Sequence, residues 1–375
     1  MHGIGGRVAR AIGALVPLEP GERAPALWSA GLSLCALSSF YVLRPVRDEL
    51  GAAGGVEGLP WLFTATFVAM LLAVPIYGRV VARTGRRRIV PRVYRFCALV
   101  LLGFVAAFAL AEGEAQAWVG RAYFVWAAVF NLLVVSVAWQ LMADVWRREQ
   151  GERVFGLVAA GGSVGGLLGP ALTFLLARPL GTAGLVLVAA LLLEGAIACA
   201  RGLLRSIETG SNKHVSMDIS ERPVGGGALA AFALIARSRL LRRIALWMVL
   251  LTTTATFAYF EQARIVKAAI ADRAGRTELF ASIDFAVNAL SAALQGLAVG
   301  RLMPRIGVGW TLAILPLVTL VGFSALAGAP LLAVLVGFQV VRRAADFSLA
   351  KPAREVLYTL AGREARYKAK QAIDT

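Results

Sequence analysis

Polar and charged side chains interrupt the apolar stretches of this chain at four places. FYVLRPVRDEL at 40 to 50 holds Arg44, Arg47 and Asp48, and TFAYFEQARIVK at 256 to 267 holds Glu261, Arg264 and Lys267. Asp284, Asn288, Ser291 and Gln295 fall on one stripe of a helix, and Gln339, Arg342, Arg343 and Asp346 follow one another closely. At the centre of a bilayer each charge costs about 2.5 to 3.5 kcal/mol on insertion scales, so such groups face water, a partner or a ligand. Their excess is cationic, and a guanidinium is a fork suited to phosphate or carboxylate. The chemistry expected is recognition of an anion. Arg44, Arg47, Arg264, Lys267, Arg342 and Arg343 would supply positive charge, and Glu261, Asp284 and Asp346 would tune or gate it. Glu261 and Arg264, three apart, can neutralise each other; Arg342 and Asp346, four apart, can pair and leave Arg343 for the ligand. The stripe through Asn288 fits a cavity wall or interhelical hydrogen bonding equally, and a lone Glu194 reads as a packing or interface residue.

Covalent chemistry finds no support. The two histidines are His2 and His214, and Cys35, Cys97 and Cys199 all lie inside apolar runs. No nucleophile and base pair, no metal-ligand spacing and no phosphate-binding Gly-x4-Gly-Lys-Ser/Thr loop is present, so neither enzyme, metal nor cofactor is expected.

The elements that must position these side chains follow from composition. Of 375 residues, 58% are apolar and 16% charged, and the mean hydropathy of +0.71 exceeds what a soluble core of this size can hide. A bilayer core needs about 20 apolar residues per helical pass. Ten runs qualify, near 25–43, 60–78, 94–112, 119–142, 155–177, 181–200, 244–262, 279–300, 309–328 and 330–350. Lipid offers backbone amides no partner, so they must be helices, and no alternating ten-residue segments of a membrane barrel occur. The expectation is an all-α membrane protein.

The net charge of +17 would suggest a nucleic-acid partner in a soluble domain, but here the cations fall in loops beside the bilayer. Lys and Arg number 31 on the side of the N-terminus and 8 on the other. This asymmetry places the N-terminus and the long central loop in the cytoplasm. Residues 1 to 24, broken by Pro17 and Pro20, read as a cytosolic lead-in.

Residues 201 to 243, rich in Ser, Gly and Arg, divide six spans from four, and their short apolar piece at 226 to 236 would lie on the membrane surface. Across this linker the sequence repeats. Ala26-Leu27-Trp28 matches Ala245-Leu246-Trp247, Leu62-Phe63 matches Leu279-Phe280, and GRVVARTG at 78 to 85 matches GRLMPRIG at 300 to 307. Three matches at nearly one offset imply duplicated six-helix halves. The expected organisation is an N-terminal bundle over 1–200, a linker over 201–243 and a C-terminal bundle over 244–375 that lacks its last two spans, as in a fragment.

The loop from Gly78 to Arg88 resembles the signature loop of the major facilitator superfamily, Gly-x3-Asp-Arg-x-Gly-x-Arg-Arg. Gly78, Arg83, Gly85, Arg87 and Arg88 match, and Ala82 replaces the Asp. Glycines allow a tight turn and arginines can cap helix carboxyl ends, so Gly78, Arg83, Gly85 and Arg87, with Gly300 and Arg305 of the repeat, would form paired cytoplasmic gates. In the fifth span, Gly161, Gly165 and Gly169 precede Pro170 at spacings of four. The run resembles the glycine-proline motif of that superfamily's antiporters, but a groove for helix packing is the better reading.

LVPLEPGER at 15 to 23, FYVLRPVRDEL, TFAYFEQARIV, AREVLYT at 353 to 359 and RYKAKQAIDT at 366 to 375 resemble the ATP/ADP translocase family, a relative of that superfamily. The resemblance implies a twelve-helix exchanger working by alternating access in a bacterial inner membrane. Arg47 beside Asp48 would correspond to its basic residue after the first helix, and Glu261 to its seventh-helix acid. Ala127 stands near the place of its fourth-helix glutamate, and its late lysine has no counterpart before Thr375. The expected partners are a small anionic solute, ATP or ADP by resemblance, and the bilayer, with no nucleic acid and a monomeric chain. The alternatives are a facilitator-type transporter of another organic anion and a non-transporting scaffold that keeps the fold.

Overall fold

A computed structural model describes residues 18–19, 21–209, 235–236, 238–296 and 300–359. The lead-in before residue 18, nearly all of the segment 226–236, the tail RYKAKQAIDT and the Arg83 side chain lie outside the described residues. Every long element is a helix, and no strand occurs among the described residues. In order they are α1 (Arg23–Ala53), α2 (Leu59–Arg83), α3 (Arg86–Leu110), α4 (Gly113–Val145), α5 (Arg148–Thr209), α6 (Arg239–Ala269), α7 (Arg273–Leu294), α8 (Gly300–Gly328), α9 (Leu332–Ala345) and α10 (Lys351–Thr359). Eight helices are long and apolar enough to cross a bilayer. One of them, α5, is two spans joined at Gly181, whose φ of 61° breaks the helix where a side chain would be strained. The tenth apolar run becomes α9 and a π-helical stretch (Asp346–Ala350), and α10 follows in unbroken succession.

The chain forms two compact units, one of residues 1–217 with 270–285, the other of 218–269 with 286–375. In the first unit α1 is the organising helix. Its neighbours are the two limbs of α5, and the close approaches give their directions. An added Cβ would overlap Ala30 O at Gly161, sit 2.5 Å from Leu34 O at Gly165 and 2.7 Å from Ser38 O at Gly169. Further along, Thr173 Oγ1 donates to Val42 O at 3.2 Å. Both numbers in each pair rise together, so the first limb runs parallel to α1, its glycine face against α1 backbone. On the second limb Ser39 Oγ donates to Ala189 O at 2.8 Å, Gly195 meets Cys35, Gly31 meets Cys199 and Gly202 meets Trp28. Here one number falls as the other rises, so this limb is antiparallel. The glycines act by removing bulk, the mechanism by which membrane helices pack closely without a hydrophobic drive.

Tyr94, Tyr123, Phe124 and Phe130 fill the rest of that unit's core. The outer faces carry Trp61, Phe67, Leu72, Leu99 and Leu110, exposed as lipid-facing side chains would be. In the second unit α6, α8, α9 and α10 pack around Leu241, Ile244, Leu315, Leu349 and Tyr358. The repeat GRLMPRIG is helical in its first part rather than a loop, and the chain turns at Gly307, where φ is 80°.

Candidate functional site

Within the first unit, the last three turns of α1 carry the candidate residues, because RPVRDEL continues the helix through Pro45 to Ala53. Arg47 lies over the ring of Phe124 of α4, its Cζ 4.3 Å from the ring centroid, and its Nε is buried with no hydrogen-bond partner. No carboxylate among the described residues pairs with it. Arg44 reaches Asp284 of α7, Nη1 to Oδ1 3.8 Å, and Asp284 is almost wholly buried. At that length the contact is an ion pair without a good hydrogen bond.

One turn further on lies a cluster that sequence reasoning did not single out. Glu49 is fully buried and accepts from Arg273 Nε at 3.0 Å and Arg276 Nη2 at 2.8 Å. Arg276 also donates Nη1 to the carbonyls of Ile270 and Ala271, at 3.1 and 2.8 Å, which fixes the turn entering α7. Asp272 accepts from the Gly275 amide at 2.7 Å, and Glu278 holds Arg178 Nε at 2.7 Å. The available signal was Arg273 and Arg276 three apart at a helix start, with Glu49 inside RDEL, a motif already prominent for Arg47 and Asp48.

Candidates of the second unit behave differently. Glu261 and Arg264 do neutralise each other, Oε2 to Nη2 2.6 Å and to Nε 3.0 Å, on an exposed face of α6 shared by Lys267. Arg342 and Arg343 are both buried in α9. The anticipated pairing of Arg342 with Asp346 does not form: Arg342 Nη2 donates to Gln339 Oε1 at 3.0 Å, and Gln339 Nε2 donates to Ala258 O at 3.2 Å. The Arg342 side chain turns instead toward Gln339, three residues back, although the Asp346 amide still donates to the Arg342 carbonyl as in a regular α-helix. Asn288 is half-buried and Ser291 buried on α7, and Gln295 Nε2 donates to Phe347 O in the π segment at 3.3 Å. Glu194 is exposed on the second limb of α5.

Among the residues read as gates, Gly78 lies inside α2 and Gly85 precedes α3 in extended conformation, which makes the turn tight. Arg87 pairs with Glu208 in the last turn of α5, Nη2 to Oε1 2.7 Å, with both side chains largely exposed. Gly300 opens α8, and Arg305 is exposed two residues before the break at Gly307. Ala127 is buried in the α4 core.

The geometry is that of a helical membrane protein with cations buried in its helices. The Major Facilitator Superfamily pattern matches residues 24–344. No curated protein sequence matches the chain. Among solved structures, it is similar to a bacterial homologue of the human lysosomal transporter Spinster, with a TM-score of 0.58 and 15% identity over 95% of this chain and 78% of that one. It is also similar to the nucleoside transporter NupG, with a TM-score of 0.53 and 15% identity, covering 95% of this chain and 86% of that one. A point mutant of NupG gives 0.59 at 14% identity, over 93% and 86%. A family pattern spanning most of the sequence, on a fold shared with solved transporters, makes this chain a member of the Major Facilitator Superfamily.

Proposed function

We propose that this chain carries an anionic, nucleotide-like solute across the bacterial inner membrane by alternating access, exchanging one such anion for another. The observation that carries this reading is Arg47: a guanidinium on an aromatic face, with its Nε buried and unbonded and no carboxylate partner among the described residues. A half-buried cation whose Nε is shut off from water and has no anion is costly, and an incoming phosphate or carboxylate relieves that cost with a charge-assisted hydrogen bond. Arg342 and Arg343, buried in the second unit, would add positive charge there. Arg44 with Asp284, and Glu261 with Arg264 and Lys267, would hold charge that changes partner as solute arrives; Asn288 and Asp346 would add polar contacts. Gly78, Arg83, Gly85, Arg87, Gly300 and Arg305 would form cytoplasmic gates, with the N-terminus cytoplasmic by the distribution of Lys and Arg. The nucleoside carried by NupG and the ATP/ADP translocase resemblance both favour a nucleotide-like solute, and the working unit would be a monomer.

The test is counterflow into liposomes containing the purified chain, with labelled ATP, ADP and simple organic anions offered separately. Arg47→Gln is expected to weaken the preferred anion by about 10- to 100-fold, the worth of one charge-assisted hydrogen bond. Exchange of an organic anion but of neither nucleotide would overturn the nucleotide reading, and exchange of none would overturn both.

A further inference from the structure

A cavity of about 750 Å³ opens between the end of α1, the start of α2 and the start of α4, all within the first unit. It is separate from the solute candidates, since Arg44, Arg47 and Asp284 do not line it. Its walls are mostly apolar, among them Leu50, Leu62, Ala65 and Val125. Trp61 and Trp118 stand at it and are exposed on the outside of the bundle, 77% and 59%. Two cations line it as well. Arg121 lies over the Trp118 ring, Cζ 4.5 Å from the centroid, and has no carboxylate partner among the described residues; Arg273 is held by Glu49.

We propose that this cavity binds one phospholipid from the leaflet opposite the start of α3, its phosphate on Arg121 and an acyl chain in the apolar cleft. Three features favour a lipid over a water-borne anion. Exposed tryptophans cluster where a helix leaves the hydrocarbon, the level at which indole rings settle among headgroups. The volume falls in the range of small-ligand sites, with walls too apolar for a free anion to replace its hydration. A guanidinium on an aromatic face, eight residues or about 12 Å into α4, can reach toward the interface and take a phosphate by a forked pair of hydrogen bonds. The inference needs only that these helices span a bilayer, and it stands whichever solute the protein carries.

The test is native mass spectrometry of the purified full chain released from detergent, with dioleoyl phosphatidylglycerol titrated in, alongside bilayer reconstitution in which brominated chains quench tryptophan fluorescence. One tightly retained phospholipid is expected. Arg121→Gln should weaken it about tenfold, and Ala65→Trp, which fills the cleft without touching a charge, should also displace it. Arg147→Gln, an exposed arginine elsewhere, should leave it unchanged. The variants are compared after gel filtration, so a chain that misfolds is recognised and the other variant decides. Retention equal to the parent's in Arg121→Gln and Ala65→Trp overturns the proposal, as does displacement of the bound lipid by inorganic phosphate alone.

Discussion

Replacing Glu49 by Gln removes one charge and almost no volume, which isolates the electrostatic role of the cluster at the start of α7. Glu49 is fully buried and bonds two guanidiniums whose side chains differ in exposure, 12% for Arg276 and 36% for Arg273. Breaking an ion pair buried on both sides costs roughly 3 to 5 kcal/mol, because a charge is left behind without compensation. The Arg273 arm is open to solvent and is worth under about 1 kcal/mol after screening. Gln retains one neutral acceptor, and Arg276 keeps its bonds to the Ile270 and Ala271 carbonyls, so the net loss should be about 2 to 3 kcal/mol, nearly all through Arg276. The assay is unfolding of the purified full chain in mixed micelles of rising SDS fraction, applied to Glu49→Gln, Arg276→Gln and the double variant. Each single change should destabilise, and the double should cost little more than either, with a coupling of about 2 kcal/mol. A Glu49→Gln chain within about 0.5 kcal/mol of the parent, or a double variant whose loss equals the two singles combined, would refute the assignment of this cluster as a coupled buried network.

Two further outcomes follow from the packing and the surface. Gly165→Ala places a methyl 2.5 Å from Leu34 O, a backbone atom that no rotamer change can move; after the gain in helix propensity it should still cost about 1 to 2 kcal/mol. Gly103→Ala, where nothing lies within 4 Å, should be neutral or slightly stabilising in the same micelle titration. Arg87→Gln breaks an ion pair exposed on both sides and should change stability by less than about 1 kcal/mol, so any larger loss of exchange activity would report a gating role distinct from folding.

Much of this architecture could be read from apolar runs and glycine spacing, and the reasons are physical. A span must be helical and of a certain length, so runs such as 60–78 and 119–142 coincide with α2 and α4 to within a few residues at each end. The helices overrun their runs because polar residues such as Asp48 and Glu49 can prolong a helix into the interface. The glycine face at Gly161, Gly165 and Gly169 was legible as a packing groove, and its occupant, the backbone of Ala30, Leu34 and Ser38, needed coordinates. The Glu49 cluster was not legible, because its partners lie 224 and 227 residues away and no local periodicity marks a contact at that distance. The spacing of Arg342 and Asp346 allows a pair, and the backbone keeps that spacing, with the Asp346 amide on the Arg342 carbonyl; Arg342 takes Gln339, three residues back, a partner that helical spacing offers equally.

The seating of α1 bears on how the chain is made. Ser38 and Ser39 turn their hydroxyls toward the carbonyls of Gly165 and Ala189, and Ser29 receives the indole N–H of Trp146. Of the described helices α1 leaves the ribosome first, yet these groups do not exist until well over a hundred residues later. During synthesis it must wait in the translocon or the lipid with Ser38 and Ser39 unmet until the hairpin at Gly181 closes around it, and with Glu49 unmet until α7 follows. Defects in that hairpin should surface as failed insertion of a helix made long before it, and degradation would begin from the amino-terminal end of the bundle.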